Sequence, residues 1–333
     1  MKSNILAAIS LAAAITTGAA TIATAAEPAG APPGQAPRAG AAPAAGGAPG
    51  PRAGGGAGPR AGGGPAAGGA PGQARRNYPV EAPGTKCPRA TMKTLVDNYS
   101  AALAAHDASK VKFAANVFFT ENGVAQAPGA SQLWKGAGTW GEGNYLIDTE
   151  RCGAVVFGVI NENNRLIHAA IRLQTQDGGP ITEVEHVLGR EQEFMYNPGI
   201  VMATSHLDWE NILPPDERQS RALMTAAATD YFAMFAEQPM VNTPFAERCD
   251  RWENGIMTTP THECSPKGLV IKHPAPRVPL VDLEAGLVGA FEHFSNSLAD
   301  VHVFKMSKGR VNYAMAVVGP ASPDPWLERE KKK

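Results

Sequence analysis

The chain has 333 residues, 36 of them Gly and 28 Pro, with 44% hydrophobic and 18% charged residues and a formal net charge of −1. Residues 27–76 concentrate the imbalance: 42 of these 50 positions are Gly, Pro or Ala, and such a stretch cannot bury enough apolar surface to offset a chain entropy of about 1–2 kcal/mol per ordered residue. A single globule of full length is thereby excluded, and the body that remains, 77–333, is acidic at net −6, so nucleic acid finds no electrostatic footprint on it.

The chain opens with Lys2, an apolar Ala-rich run from Ile5 to Ile15, and Ala23-Thr24-Ala25. That order predicts an export signal over 1–26, cleaved near Ala26 or Glu27. The apolar run is shorter than the roughly 20 residues a spanning helix needs, and no later segment supplies a transmembrane span. The expected mature protein is exported, to a periplasm or outside the cell. A disordered linker is expected over 27–78, with Pro-Arg-Ala-Gly at 37–40, 51–54 and 59–62. Its arginines suit a soluble spacer, or weak attraction to anionic envelope polymers or lipid headgroups.

An amphipathic helix is predicted over Ala90–Ala105, with Met92, Leu95, Val96, Tyr99 and Leu103 at helical spacing. A strand follows that ends at Glu121-Asn122-Gly123, where Asn-Gly signals a tight turn. Three further β segments are read at Asn144–Ile160, Arg165–Gln176 and Ile181–Val187, with Gly178-Gly179 as a hairpin turn. A second helix is predicted over Gln219–Glu237. From there the pattern repeats: Phe113-Ala114 and Glu121-Asn122-Gly123 recur as Phe245-Ala246 and Glu253-Asn254-Gly255, and Tyr99 recurs as Tyr231, all at an offset of 132. Leu146–Glu150 matches Leu280–Glu284, and Val187-Leu188-Gly189 matches Val317-Val318-Gly319, at offsets of 134 and 130. The body is therefore read as a duplication, with modules at 79–200 and 201–322 and a charged tail at 323–333. Helix first and then a meandering sheet is an α+β pattern.

Four cysteines, Cys87, Cys152, Cys249 and Cys264, allow three pairings, and separation in sequence favours Cys87–Cys152 and Cys249–Cys264. Without a CxxC or a His-spaced pair, no structural zinc site is expected. His206 and Asp208 are a candidate metal pair, better read as parts of an isolated loop between modules. No Gly-rich loop opens a helix after a strand, no Gly-x-Ser-x-Gly occurs and no reactive Cys–His pair is seen, so no cofactor is expected.

The Ala-rich helix with its internal Tyr, the Phe-Ala before a strand and the hairpin Ile171–Glu185 resemble a nuclear transport factor 2-like, SnoaL-like cone, a curved mixed or antiparallel sheet wrapped on helices. Copy two departs at the hairpin, which reads Lys305-Met306-Ser307-Lys308-Gly309-Arg310-Val311. The segment 87–320 as a whole is similar to a fungal and bacterial family of two tandem modules, most specifically at Cys249–Gly255 and Thr258-Thr259. The wider superfamily includes ketosteroid isomerase, scytalone dehydratase, polyketide cyclases and lyases of lignin-derived aromatics, alongside modules that only bind or dimerise. The resemblance thus implies acid–base chemistry on hydrophobic ring compounds, usually without metal, and sheets that pair.

Several residues suit such a pocket. Tyr99 and Tyr231 are lone polar tips on apolar helix faces, and both equally suit core tyrosines bonded to the backbone. Glu121 and Glu253 stand beside the repeated turn, a setting that also fits a shared structural role. Strand alternation puts His168, Ala170 and Arg172 on one face, with His168 as base or acid and Arg172 as oxyanion partner if that face lines the cone. Glu183 and Glu185 share a face of the next strand, and His186 lies on the other. In copy two, Arg251 and Glu253 flank Trp252 and project to one side, and a Cys249–Cys264 bond is expected to hold His262 beside them. Trp252, His293, His302 and Phe118 are the expected substrate contacts. The favoured function is a cofactor-independent lyase or isomerase acting on a small hydrophobic, aromatic molecule. The alternative is a non-catalytic envelope protein that binds a ligand or a partner.

Overall fold

The computed structural model describes residues 82–330 except Lys267 and Asn296. The export signal read at 1–26 and the linker read at 27–78 lie outside the described residues.

In the first module, α1 (Arg89–Ala104) follows Pro88 and buries Met92, Val96, Tyr99 and Leu103, one stripe at helical spacing. It ends where His106 turns left-handed at φ 56°. The chain then forms β1 (Phe113–Glu121), β2 (Val124–Ala125), the short α2 (Gln132–Gly136), β3 (Ala137–Asp148), β4 (Gly153–Glu162), β5 (Arg165–Thr175) and β6 (Ile181–Gly189). A short α3 (Pro198–Ala203) lies in the connection to the second module. There, α4 (Arg221–Ala233) is followed by β7 (Phe245–Glu253), β8 (Ile256–Met257), β9 (Arg277–Asp282), β10 (Leu287–Phe294), β11 (Leu298–Ser307), β12 (Arg310–Ala321) and α5 (Pro325–Glu330).

Both sheets have the same plan. Their orders are β2-β1-β6-β5-β4-β3 and β8-β7-β12-β11-β10-β9, with β1 parallel to β6, β7 parallel to β12, and every other neighbour antiparallel. The repeated Asn-Gly turns both have positive φ at Asn and Gly, which only the primed hairpin turns require. The strand expected to run unbroken over 144–160 is instead two strands. Asp148 accepts from the backbone N–H groups of Glu150 and Arg151, which folds the chain back between β3 and β4. The disulfides are Cys87–Cys152 and Cys249–Cys264. Among the described residues no helix is long and apolar enough to cross a membrane.

Each helix packs on one face of its own sheet, α1 over Val156, Ala169, Ile171 and Val184, and α4 over Val288, Ala290, Phe304 and Ala314. The opposite faces share a third core, in which Phe157, Ala170 and Val187 meet Phe291, Val301 and Val317 around Trp209 of the connection. The contacts around that core are reciprocal. Arg89, first residue of α1, grips Asp282 at 2.8 and 2.7 Å, and Arg221, first residue of α4, grips Asp148 at 2.8 and 2.9 Å. Asp282 also accepts from Ile147 N–H and Asp148 from Val281 N–H, both at 2.9 Å. Residue i touching j while the counterpart of j touches that of i marks a two-fold relation. Bare Cα atoms permit the closest approach: a Cβ on Gly189 would lie 2.4 Å from the Asn254 amide, and one on Gly319 would lie 2.8 Å from that of Asn122.

Within the segment read as a charged tail, Pro325–Glu330 form α5, and Trp326 ties it to the first module: its indole Nε1 donates to Thr120 Oγ1 at 3.0 Å, and its ring lies over the Arg172 guanidinium at 4.4 Å.

Candidate functional site

The second module gathers titratable groups on the face of its sheet that α4 covers. Two-residue alternation aims Arg251 and Glu253 inward from β7, Glu292 from β10, and Asp300 and His302 from β11, while Tyr231 descends from α4. Glu292 and Asp300 are direct cross-strand partners, two carboxyl groups side by side where no solvent screens them, since their side chains are 0% and 1% exposed. His302 Nδ1 is 3.2 Å from Asp300 Oδ2, and its ring stacks on Phe304 and meets Phe232 edge-on. His273 lies over Glu292, with Nδ1 3.0 Å from Oε2. Phe235 and Phe294 complete the apolar wall around the His273 ring.

Beside these ion pairs, three buried atoms of the cluster make no hydrogen bond to any described residue: Oε1 of Glu292, Oδ1 of Asp300 and Nε2 of His302. A buried polar atom left so costs about 1–3 kcal/mol. One on each of three converging side chains is a concentration that core packing alone does not call for.

The electrostatics follow from burial and proximity. Burial pushes Glu292 up to about 7, with Asp300 adding to the rise and His273 pulling against it. Burial works against a charged His273, but pairing with Glu292 overrides it and holds the imidazole up at about 9. Both its nitrogens face acceptors, the carbonyls of Pro274 and Phe232, so both carry protons. Burial likewise disfavours charge on His302, and Asp300 more than compensates, raising it. The Tyr231 phenol is raised by burial, with Arg251 opposing. Arg251 donates to Tyr231 Oη at 2.5 Å and pairs with Glu253 at 3.0 Å. Tyr231 therefore accepts from Arg251 and keeps its own proton to donate elsewhere.

The first module holds different chemistry at the same registers. Where the second has Glu292, Asp300 and His302, the first has Gly158, Ala169 and Ile171. Its cone is filled by Tyr99, Phe119, Trp134 and aliphatic groups. The polar thread through it starts with Tyr99 Oη, 2.8 Å from His186 Nε2. His186 lies 3.7 Å from Glu121, which accepts from Leu133 N–H and Arg190. Although burial opposes it, the contact with His186 holds Glu121 down at about 2, an ionised anchor rather than a base.

The remaining expected site residues are not brought together. His168 and Arg172 do not point into the cone: Ile167, Ala169, Ile171 and Leu173 do, and the polar side of β5 faces the second module. Arg172 is there held by Glu183 at 3.0 Å and Glu185 at 2.9 Å, and burial depresses His168 to about 4, neutral at ordinary pH. His262 is not beside Arg251 and Glu253. It pairs with Asp250 at 2.5 Å, on the other side of β7, with its side chain 38% exposed. Trp252 also alternates away from the cone, in register with Met315 of the shared core. His293, also buried, lies on the opposite face of the sheet from the cone, against Ser322 and Asp324, and Phe118 packs edge-on against Trp326. The His206–Asp208 pair is divided, His206 contacting the Ala203 carbonyl and Asp208 accepting from the Tyr313 hydroxyl. Among the described residues no group of three His, Cys, Asp or Glu side chains is arranged to hold a metal ion. The sequence reading missed Glu292, Asp300 and His273. Alternation in Asp300-Val301-His302-Val303-Phe304 was the available signal for Asp300.

The sequence profile of a family described as a domain of unknown function, DUF8021, matches residues 85–188 and 217–318. No curated protein matches the chain. Among solved structures, a steroid delta-isomerase from Pseudomonas aeruginosa is similar at 11% identity, over 39% of this chain and 92% of that chain, with a TM-score of 0.26. The two matched segments span more than half the chain and take in both sheets, so the chain belongs to the DUF8021 family and carries its domain twice.

Proposed function

We propose that the second module is a cofactor-independent lyase or isomerase, acting by acid–base chemistry on a small hydrophobic molecule with an enolisable carbonyl, in an exported protein. The observation that carries this reading is the buried Glu292–Asp300–His302 cluster with its unbonded polar atoms inside an aromatic wall. Glu292, near 7, is poised to take a proton from carbon beside a carbonyl. Tyr231, polarised by Arg251, donates to the oxygen on which charge develops. His302, protonated beside Asp300, gives its proton either to the γ-carbon of the dienolate of a β,γ-unsaturated carbonyl, which moves the double bond, or to a departing β-hydroxyl, which leaves as water, and the proton taken by Glu292 then passes to His302 or to solvent to restore both groups. The aromatic wall supports a ring-bearing substrate.

Export is supported by the N-terminal sequence and by two disulfides, which persist in oxidising compartments. In this reading each module is a nuclear transport factor 2-like cone, and the first serves as a built-in partner whose filled interior supports a scaffolding role. The competing reading, a binding protein without turnover, draws on how deeply the cluster is buried. The test is a screen of the full chain for heat-stabilising cyclic and aromatic ketones, followed by proton NMR of the binders in D2O. Deuterium entering the carbon beside the carbonyl, and lost in Glu292→Gln, is the expected result. Binders that take up no deuterium, or that exchange equally with the variant, would overturn the catalytic reading in favour of binding.

A further inference from the structure

The first module has a feature that its cone does not explain. Between α1, the start of β1 and the β5–β6 hairpin runs a groove of about 560 Å³, within the size range of small-molecule sites. Leu95, Val111 and Ile181 give it apolar walls with the edge of Tyr99, and Lys110 and Lys112 stand on its rim. The hairpin side is bare because Gly178, at φ 74°, and Gly179 occupy it. No carboxylate lines the groove. The carboxylates that flank its lysines and its hairpin in sequence are engaged, Asp107 with Lys110 at 3.7 Å and Asp177 with Lys86 at 2.5 Å. Lys112 has no ion pair with any described residue, which leaves one uncompensated positive charge beside apolar walls on a body of net charge −6.

The fold itself does not require this arrangement. At the repeat offset, Lys110-Val111-Lys112 corresponds to Asn242-Thr243-Pro244, with no cation among them, and the second module closes its hairpin with only Lys308-Gly309 between β11 and β12. We propose that this groove binds a small amphiphilic anion, an aromatic ring bearing a carboxylate, with the ring against Leu95, Val111 and Tyr99 and the carboxylate on Lys112. The site is separate from the acid–base cluster of the second module and does not depend on it.

The test is NMR titration of the full chain with 1-naphthoate, 1-naphthalenemethanol and acetate, following the amides of Gly178 and Gly179. Naphthoate is expected to shift both, and Lys112→Met to weaken it about fivefold, the scale of one partly screened ion pair. Naphthalenemethanol is expected to bind more weakly and equally to both proteins, and acetate to leave the amides unmoved. Equal naphthoate affinity in the variant, no shift at these amides, or shifts of equal size with acetate would each overturn the proposal. Glu292→Gln is expected to bind naphthoate as the parent does, which separates this outcome from that of the acid–base reading.

Discussion

Replacing Glu292 by Gln tests whether the carboxyl is protonated when the protein is folded. Its folded value of about 7 stands above an ordinary 4.5, so its contribution to stability is present in full below about pH 4.5 and is lost as the pH rises through 7. In that window the folded chain holds a proton that the unfolded chain has released, and each pH unit removes about 1.4 kcal/mol. From about pH 5 to about pH 6.5 the loss sums to about 2 kcal/mol, or about 4–8 °C in melting temperature for a body of this size. His273 and His302 are also raised, but their ordinary value is 6.5, so they add slope only above this window. Urea melts or calorimetry of the parent and of Glu292→Gln at the two pH values are expected to differ in slope by that amount, the variant being the flatter. Parallel slopes would mean that Glu292 is already ionised in the fold at pH 5, and the proposed base would be gone.

Turnover of a substrate found by the screen is expected to rise through about pH 7, and Asp300→Asn to shift that rise to lower pH, because Asp300 helps hold Glu292 up; a pH–rate profile checks both. His262→Ala is expected to leave the same rate unchanged, since its ring sits on Asp250 outside the cone, and a large fall in rate would contradict the placement. Tyr99→Phe removes the bond to His186 and strands a buried imidazole, with an expected cost of about 1–3 kcal/mol in a urea melt and no effect on turnover in the second module. Trp326→Ala is expected to cost about 3–5 kcal/mol, and a loss below about 1 kcal/mol would show that α5 is peripheral.

The duplication was legible because the repeated residues do backbone work that few others can do. Asn-Gly sets a primed turn, and the glycine closing Val-Leu-Gly and Val-Val-Gly lets the two modules touch. Both helices were legible from their buried stripes, to within one residue for α1, whereas α4 stops four residues short of the expected Glu237. The inward face of β5 was not legible. Alternation separates its two faces but does not say which one the helix covers, and here both are buried, one under α1 and one under the second sheet. A polar face on a doubly buried strand imitates a pocket lining, and His168 and Arg172 are such a case. Glu292 and Asp300 escaped for another reason: eight residues apart in sequence, they become a site only through the β10–β11 register.

Glu185 takes a guanidinium from each half of the chain, Arg172 at 2.9 Å and Arg277 at 2.6 Å. The mirror positions of Arg172 and Glu185 in the second half are Val303 and Met315, so this clasp exists only once. The two halves are therefore not interchangeable at this one point. A second copy of the first half would bring β3, which carries no arginine, where β9 brings Arg277, so Glu185 would keep Arg172 alone, whereas Arg89 would still meet an aspartate in Asp148.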